Sequence, residues 1–390
     1  MPFTSQKHIS IIGGAGHIGL PLGLAFTNKG FYVHLIDKNI INMQLIMNNK
    51  MPFLEFGSKK ILNNSLKKKK FFFEYDLNNL KKSKFIFICI GTPIDSRLKP
   101  NLKGFEKLID DLKKHVQKKQ IIIIRSSVYP GTILNIKKKL KDVNKNIFYC
   151  PERIVQSKSL IELPKLPQII ASENNNNFMI VKELFKKITS KIIKTSILEA
   201  ELIKLYSNAN RYINFAIANQ LYTICQSHNL SFDRIRKIMQ DGYARNLNLA
   251  KAGFTSGPCL LKDTMQLRSF CNNDFQLGSA AMEINENIPN LIIKKIKSVK
   301  GFKKKKIGLL GLTFKGETDD IRDSLSIKLL NKLKKLKFKI YQSDEYYFNK
   351  NNITKEQLVS KSDIIVIGAP HKVYKKINYP KDKKIINIWG

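Results

Sequence analysis

The stretch "HISIIGGAGHIGLPLGLAFTNKGFYVHLID", at positions 8–37, constrains what this chain can fold into more than any other segment. Its apolar run at 9–12 is typical of a buried parallel strand, and the apolar positions after the glycines recur at helical spacing. Gly14, Gly16 and Gly19 form the pattern G-x-G-x-x-G between strand and helix. Such glycines allow a tight turn, a close approach of backbone to a pyrophosphate, and close packing of the helix on the strand.

An acidic residue, Asp37, ends the second strand of this segment, about 20 residues beyond the glycines. A carboxylate at this point accepts hydrogen bonds from the ribose hydroxyls of adenosine and repels a 2′-phosphate. The segment therefore predicts a dinucleotide site for NAD rather than NADP. We expect the cofactor to contact Asp37 and the glycine turn, including its residues His17 and Ile18.

Strand-like stretches continue to alternate with helical ones, which predicts a doubly wound parallel sheet. Ligands of such sheets lie beyond the carboxyl ends of the strands, so Thr92, Ser127 and Glu152, each just past a strand, point toward that crevice. Taken one at a time, these residues are also typical of ordinary turns. The stretches are "KFIFICIGTP" (84–93), "QIIIIRSSVYPGT" (120–132), "NIFYCPER" (146–153) and "QIIAS" (168–172), with a helical segment at 104–118.

A long helix without proline or glycine is predicted over 198–227. Lys204, Asn208 and Arg211 fall at i, i+4 and i+7 and form one polar stripe on it. The stripe is either a solvated face or, if it faces a cleft, a place where the lysine ammonium stabilises an oxyanion.

Strands return after residue 300, in "KIGLLGLTF", "FKIYQSDE", "SDIIVIGAP" and "KIINIWG". We therefore predict an α/β fold class, with two Rossmann-like doubly wound parallel-sheet domains joined by a long central helix. The predicted domains are 1–197 for the cofactor, 198–299 for a helical dimerisation and catalytic domain, and 300–390 for the second sheet.

The segment "GFTSGPCLLKDT", at 253–264, places a cysteine directly after a Gly-Pro turn. Proline favours the first position of a helix, so Cys259 is expected in the first helical turn, where free backbone N–H groups and the helix dipole favour the thiolate. Lys262 and Asp263 then share its face. A small buried cysteine at a helix start explains this segment equally well.

Composition sets the remaining bounds. The five cysteines are scattered and fit neither a disulfide framework nor a metal site, and the chain shows no signal peptide and no apolar run long enough for a membrane span. The formal charge of +39 comes from 69 Lys and Arg against 30 Asp and Glu, mostly lysine spread along the whole chain. We interpret it as residue usage and expect a cytoplasmic protein with neither nucleic acid nor membrane as a partner. A basic nucleic-acid-binding protein on a dinucleotide fold is the alternative that this charge leaves open.

Taken in order, the motifs resemble the nucleotide-sugar 6-dehydrogenases, the UDP-glucose, UDP-N-acetylmannosamine and GDP-mannose dehydrogenase family. The resemblance covers nearly the whole chain. Its seven stretches are "GGAGHIGLPLGL", "GTPID", "SSVYPGT", "PER", "ELIKLYSNANRYINFAIANQ", "GPCLLKDT" and "GLTFKGETDDIRDS".

The resemblance implies that the sugar C6 alcohol is oxidised twice, to aldehyde and then to acid, with NAD reduced each time. It makes Cys259 the nucleophile that forms a thiohemiacetal and then a thioester. Lys204 and Asn208 would hold the oxyanion, Asp263 would orient lysine and water, and Glu152 would act as a general base in hydrolysis. Ser127, where the family usually has threonine, is included among the catalytic and cofactor-binding residues, and Thr92 among the cofactor-binding ones.

The same resemblance implies a homodimer that supplies uronic acids for polysaccharide, and it places the nucleotide of the sugar donor in 300–390. The implied substrate contacts are Glu152, Arg153, Lys204, Asn208, Arg211, Tyr243, Arg245, Gly253, Lys315 and Arg322.

Departures from the family pattern include Cys150 before "PER", "TSGP" in place of a more glycine-rich turn, and Asn387 where an acid is frequent. The sequence does not choose the sugar or the base. The second enzyme hypothesis is a single-step NAD-dependent hydroxyacid or sugar-phosphate dehydrogenase, which needs no cysteine.

Overall fold

The computed structural model describes residues 7–95, 97–173 and 176–390. The chain divides into two compact units, Met1–Tyr206 and Ser207–Gly390. The division into three domains made above stays a prediction.

An eight-stranded sheet forms the centre of the first unit, with strand order β3-β2-β1-β4-β5-β6-β7-β8. The strands are β1 (His8–Ile12), β2 (Tyr32–Ile36), β3 (Phe71–Glu74), β4 (Phe85–Ile88), β5 (Ile121–Ile124), β6 (Ile147–Tyr149), β7 (Gln168–Ala171) and β8 (Ile192–Thr195).

Neighbouring strands run parallel, with one exception: β6 and β7 pair antiparallel, with Tyr149 opposite Ala171. The expectation that "QIIAS" extends the sheet in the same direction is therefore wrong, although β7 and β8 are parallel to each other. Because β7 and β8 are reversed, the carboxyl ends of parallel strands that form a ligand edge come from β1 to β6.

Helices cover both faces of this sheet. Alternate strand residues belong to two apolar clusters, with Ile9 and Ile123 in one and Ile12 and Ile124 in the other, because successive side chains of a strand point to opposite faces. The helices of the first unit are α1 (Gly19–Asn28), α2 (Ile40–Met47), α3 (Ser58–Lys67), α4 (Lys103–Lys113), α5 (Thr132–Leu140), α6 (Ser159–Glu162) and α7 (Phe178–Lys186).

Helix α8 (Ile197–Ser227) is 31 residues long, as the uninterrupted helical pattern predicts, and the boundary between the two units falls within it. The second unit continues with α9 (Phe232–Gln240), α10 (Leu260–Phe270), α11 (Gln276–Glu286) and α12 (Ile288–Lys297).

A second, four-stranded parallel sheet of order β10-β9-β11-β12 completes the second unit. Apolar residues of α8, α12 and this sheet share one core, which includes Ala218, Ile292 and Leu309. With two doubly wound sheets and the long helix, the fold class predicted from the sequence is confirmed. The remaining elements are β9 (Ile307–Leu310), α13 (Leu325–Lys335), β10 (Ile340–Ser343), α14 (Lys355–Lys361), β11 (Ile364–Ile367) and β12 (Lys384–Asn387).

Candidate functional site

The glycine turn joins β1 to α1 through contacts that only glycine allows. The N–H groups of Gly13 and Gly14 both donate to Ile36 O, at 2.9 and 3.1 Å, so the turn is fixed against the end of β2. A Cβ on Gly19 would lie 2.2 Å from Gly13 O, closer than atoms can approach. A Cβ on Gly16 would meet its nearest neighbour, the same oxygen, at 3.4 Å, which is ordinary contact. Gly19 is therefore required by the packing of α1, whereas Gly16 leaves a half-exposed opening at the turn.

Asp37 follows β2 and faces this turn. Its Oδ2 accepts the N–H of Ala15 at 2.9 Å, and its Oδ1 accepts the N–H of Asn39 at 2.9 Å. These bonds fix the carboxylate beside the glycine turn while the residue stays half-exposed. A ribose hydroxyl can still donate to such a carboxylate, because each of its oxygens has more than one lone pair.

Thr92 and Ser127 follow β4 and β5, two neighbouring strands of the sheet. The Thr92 hydroxyl donates to the backbone carbonyl of Ser127, so the two loops are joined directly. Thr92 is buried and Ser127 is half-buried. With the glycine turn after β1 and Asp37 after β2, the structure brings the predicted cofactor residues to one edge of four adjacent strands.

These residues fit a dinucleotide. The opening at Gly16 admits backbone contact with a pyrophosphate, and Asp37 supplies the ribose acceptor. Ile18 is the residue directly before α1, and the ring of His17 stacks on Phe53 at 4.1 Å between centroids.

Glu152 lies in the loop after β6, and it has a charged partner that sequence reasoning missed. One of its oxygens accepts from the Arg125 guanidinium, and the other accepts the N–H groups of Arg153 and Ile154 at 2.7 and 3.1 Å. Arg125 is fully buried and also donates to Gln168 at 2.9 Å. An arginine directly after four isoleucines was the available signal, because a charge there needs a buried partner.

Two cysteines of the first unit lie in this buried region. Burial raises the pKa of Cys89 and of Cys150 to about 12, although the Arg125 charge opposes the shift at both. Both thiols therefore stay protonated at neutral pH. The Arg153 guanidinium also has a partner within the protein, because it donates to Pro167 O at 2.5 Å.

The polar stripe of α8 changes its exposure along the helix. Lys204 is half-buried, Asn208 is buried and Arg211 is exposed. Within the second unit, Asn208 Nδ2 donates to Asp263 Oδ2 at 2.5 Å, and Lys262 Nζ lies 3.1 Å from the other oxygen of this buried carboxylate. The interpretation of the stripe as a solvated face therefore fails at Asn208.

Cys259 lies at the N-terminal end of α10, and it is the exposed member of the five cysteines. The helix begins at Leu260, so Cys259 is the N-cap residue, and the expectation that Pro258 opens the helix is wrong by two positions. Its carbonyl accepts the N–H of Asp263 at 2.9 Å. Gly257, with φ +105°, sets the turn before it, where a Cβ would lie 2.4 Å from the Phe314 ring.

Arg322 is an electrostatic neighbour of this cysteine. Burial opposes its charge, but the hydrogen bonds to Asp320, with Nη2 to Oδ2 at 2.6 Å, and the Cys259 sulfur raise the pKa of the guanidinium. The side chain is 54% exposed, so it is open to a ligand. Lys315, on the same loop, is half-buried and lies with its Nζ 5.7 Å from the centre of the Phe314 ring.

The loop before the cysteine is held by a chain of buried amides that the sequence did not reveal. Gly253 N–H donates to Asn219 Oδ1 at 2.9 Å, Asn219 Nδ2 donates to Asn285 Oδ1 at 2.8 Å, and Asn285 Nδ2 donates to Tyr212 O at 3.0 Å. A Cβ on Gly253 would lie 2.2 Å from the Trp389 ring. Packing against Trp389 therefore explains why a glycine stands at position 253.

Tyr243 and Arg245 lie before Gly253 in the same segment, and both are exposed. The Arg245 guanidinium lies 5.8 Å from the Tyr243 ring centre and donates to its hydroxyl at 3.3 Å. Across the described ranges, no group of three or more His, Cys, Asp or Glu could hold a metal ion. No helix in those ranges is long and apolar enough to cross a bilayer.

Three models of one protein family match the chain in succession. They are the UDP-glucose/GDP-mannose dehydrogenase family NAD binding domain over 7–189, its central domain over 198–287 and its UDP binding domain over 308–388.

Relatives match over most of their length. A UDP-N-acetyl-D-mannosamine dehydrogenase of Methanocaldococcus jannaschii is 28% identical over 396 residues, covering 97% of this chain and 89% of the relative. A UDP-glucose 6-dehydrogenase of Rickettsia bellii is 26% identical over 82% of this chain and 77% of the relative. A solved UDP-D-ManNAc dehydrogenase from Pyrococcus horikoshii, 24% identical, has a TM-score of 0.90 over 98% of this chain and 95% of its own, which shows the shared fold.

Proposed function

The chain belongs to the UDP-glucose/GDP-mannose dehydrogenase family, and on that premise we propose that it oxidises the C6 alcohol of a UDP-linked hexose or N-acetylhexosamine to the uronic acid for polysaccharide biosynthesis. It is an NAD-dependent oxidoreductase that acts on a nucleotide sugar. The observation that carries the four-electron reaction is Cys259, an exposed thiol at a helix N-terminus that interacts electrostatically with the Arg322 guanidinium.

An NAD held at the glycine turn and Asp37 would supply the hydride acceptor for each oxidation, with NADH exchanged for a second NAD between the two. In the second, the Cys259 thiolate bonds to the aldehyde carbon, and the carbonyl electron pair moves to oxygen to give a thiohemiacetal oxyanion. Loss of hydride leaves a thioester, and water then breaks the carbon–sulfur bond to release the acid and the thiol. Arg322 and the N-terminal end of α10 place positive charge and free backbone N–H groups near the sulfur that begins this sequence.

The oxyanion requires donors in fixed positions, and Lys204 and Asn208 are proposed for that role. The bond from Asn208 to Asp263 supports it, because a held amide loses little freedom when it meets a substrate. Asp263, which also pairs with Lys262, is proposed to orient the lysine and the water.

Glu152 is proposed as the general base that draws a proton from the attacking water, and Ser127, in the loop after the neighbouring strand β5, as a further catalytic residue. The hydrogen bond from the Arg125 guanidinium orients this carboxylate. It also restrains the carboxylate, so the water has to approach a group that already accepts from three donors.

The nucleotide sugar is proposed to contact Lys315 and Arg322 of the second unit. Lys315 and Arg322 suit its pyrophosphate, although only the arginine offers a planar fork. Its other proposed contacts are Glu152, Arg153, Lys204, Asn208, Arg211, Tyr243, Arg245 and Gly253. The exposed side chains of Arg211, Tyr243 and Arg245 are open to a ligand, whereas Arg153 and Gly253 already have packing roles.

The test is the number of NADH molecules formed per sugar consumed, over a panel of UDP- and GDP-linked hexoses and N-acetylhexosamines. We expect two NADH and an acid from one UDP-linked sugar. Cys259→Ser is expected to lower acid formation by at least about 100-fold, the low end for a positioned catalytic group, while the matched variant Cys271→Ser keeps it.

One NADH per sugar with an aldehyde or ketone product would instead support the single-step dehydrogenase and leave Cys259 a structural residue. The cytoplasmic location and the absence of nucleic acid as a partner stay predictions. Binding of DNA or RNA that persists at about 0.15 M salt would contradict the second of these.

A further inference from the structure

The loop that carries Lys315 is anchored to a buried carboxylate in the second unit. Asp344 follows β10, and its Oδ2 accepts the N–H groups of Leu312 and Thr313 at 2.5 and 3.2 Å. Its Oδ1 accepts two more N–H groups, from Tyr346 and Tyr347, at 2.9 Å each. Burial alone raises the pKa of this carboxyl, but the hydrogen bond from His371 and the backbone donors outweigh burial and hold the pKa below its usual range.

His371, in the loop after β11, contacts the same carboxylate and is buried. Its Nδ1 accepts the backbone N–H of Glu317 at 3.0 Å. A ring nitrogen that accepts a hydrogen bond carries no proton, so the proton of the neutral ring is on Nε2. Nε2 lies 3.3 Å from Asp344 Oδ2 and 3.2 Å from Thr313 Oγ1, and both can accept from it.

Lys315 lies between the two points at which this histidine holds the loop. On one side, the Thr313 hydroxyl donates to the carbonyl of Lys315 itself at 2.9 Å. On the other, Gly316 leaves no space for a side chain, since a Cβ would lie 2.6 Å from Pro370 O. Glu317 then adopts φ +57°, in the left-handed region that a residue other than glycine occupies at some cost. The loop conformation therefore depends on the contacts that hold it, and the bond to His371 is one of them.

We propose that His371 is a positioning residue for substrate binding: its neutral, Nε2-protonated ring fixes the loop that presents Lys315 to the nucleotide sugar, and a second proton on Nδ1 releases the loop and weakens binding. The inference rests on the proposed function, in which Lys315 contacts the substrate.

The groups around His371 favour a switch rather than collapse when Nδ1 gains a proton. Glu317 Oε1 lies 4.0 Å from Nδ1, and Asp344 faces Nε2, so two carboxylates attract the charged ring. The rings of Tyr346 and Tyr374 lie 5.0 and 5.2 Å from the imidazole, and burial raises the pKa of both phenols, which therefore stay uncharged. The protonated Nδ1 can turn from the backbone N–H of Glu317 to its carboxylate, and the loop has to move with it.

Two neutral substitutions separate the two hydrogen bonds. In His371→Asn, the amide oxygen takes the approximate place of Nδ1 and can still accept from Glu317 N–H. In His371→Gln, the amide nitrogen takes the approximate place of Nε2 and can donate to Asp344, but the acceptor for Glu317 is lost. Neither side chain titrates. His228→Asn, at an exposed histidine of the same unit, is the matched control.

The measurement is kcat and KM for the UDP-linked sugar that is turned over, from neutral to mildly acidic pH. In the unmodified enzyme and in His228→Asn, KM is expected to rise by about 3- to 10-fold toward acid pH, the effect of about one hydrogen bond. His371→Asn should keep the neutral KM and lose the acid rise. His371→Gln should show the raised KM at every pH with kcat unchanged.

An acid rise in KM that persists in His371→Asn, or a wild-type KM in His371→Gln, would overturn the inference. The tautomer is an independent check on the unmodified protein: a ¹⁵N spectrum should place the imidazole proton on Nε2, and a proton on Nδ1 at neutral pH would overturn the inference even if both variants fail to fold. If no nucleotide sugar yields NADH, the proposed function fails instead, and the tautomer still tests the geometry by itself.

Discussion

At the scale of the residue, the buried ion pair of Arg125 and Glu152 is sensitive to substitution of either partner. Arg125 is 0% and Glu152 is 7% accessible, so neither charge can turn to water for compensation. We expect Arg125→Met to lower the free energy of unfolding by about 3 to 5 kcal/mol, because it leaves a buried carboxylate without its partner. Urea denaturation of the folded protein measures this change.

The matched double variant tests the cause. With Glu152→Gln added to Arg125→Met, the uncompensated charge disappears, and we expect part of the lost stability to return. If the stability lost in the double variant equals the sum of the stability lost in Arg125→Met and in Glu152→Gln alone, the pair is not coupled and the explanation is wrong.

Residue by residue, the sequence identifies groups that belong to motifs and misses the groups that hold them. Cys259 could be singled out because it follows a Gly-Pro turn, and Asp263 because it lies four positions further on. Arg125, Asn219 and His371 could not, since their partners come from distant segments and no spacing along the chain records those contacts. Their only sequence signal is that they are polar residues within or beside apolar runs.

At the scale of the element, the turn from β1 to α1 predicts different outcomes for two of its glycines. Gly19→Ala places a Cβ 2.2 Å from Gly13 O, so α1 has to shift, and we expect a fall in the melting temperature together with a loss of NAD binding. Gly16→Ala meets its neighbour at 3.4 Å, so we expect a nearly unchanged melting temperature but weaker NAD binding, since the opening for the pyrophosphate narrows. Thermal melts and NAD titrations of both variants decide the matter. A Gly16→Ala protein with unaltered NAD affinity would contradict the role given to that opening.

Three strands of the same sheet carry a hydrogen-bonded row of titratable side chains. His8 Nδ1 lies 3.1 Å from His34 Nε2, and His34 Nδ1 lies 3.3 Å from Glu74 Oε1. Burial lowers the pKa of both histidines, with Lys70 and Lys82 adding to the effect on His8, while Glu74 opposes it only in part at His34.

These shifts determine how stability depends on pH. Below the ordinary histidine pKa of 6.5, the unfolded chain binds protons that the folded chain does not bind. The contribution of these histidines to the free energy of unfolding is therefore highest above that pH and falls toward acid until the folded pKa values are reached. Urea denaturation at a series of pH values measures the slope. In His8→Gln/His34→Gln the slope should flatten, whereas in His228→Asn it should not. A stability that rises on acidification through this window would contradict the assignment.

Element boundaries and directions show where sequence patterns lose information. The alternation of strands and helices predicts the sheet, but "QIIA" has the same buried character in either direction, so the reversal of β7 is not encoded in its periodicity. The edge strands β3 and β8 were not identified at all. β8 is four residues long and ends in Lys-Thr at positions 194–195, a pattern that resembles a surface loop.

At the scale of the whole molecule, exposed apolar side chains of α8 support the predicted homodimer. Ile217 and Ile224 are 46% and 49% exposed and lie seven residues apart, hence on one side of the helix. We expect light scattering to give a dimer and Ile217→Glu to shift it toward monomer, while Leu336→Glu, at an exposed apolar residue directly after α13, leaves it intact. A monomeric unmodified protein would contradict the prediction.

The order of motifs along the chain was enough for the fold class, the cofactor and the family, because five of the seven motifs follow a strand at a ligand edge. The sugar was beyond its reach, since substrate choice depends on loop contacts such as those of Tyr243 and Arg245, whose geometry no local pattern fixes.

The amide chain from Gly253 through Asn219 and Asn285 to Tyr212 O contains no group that gains or loses a proton near neutrality. The segment before the nucleophile is thus secured by contacts indifferent to acidity, whereas the segment that carries Lys315 depends on an imidazole. A fall in pH should therefore weaken binding of the substrate's nucleotide while the position of the Cys259 thiol stays the same.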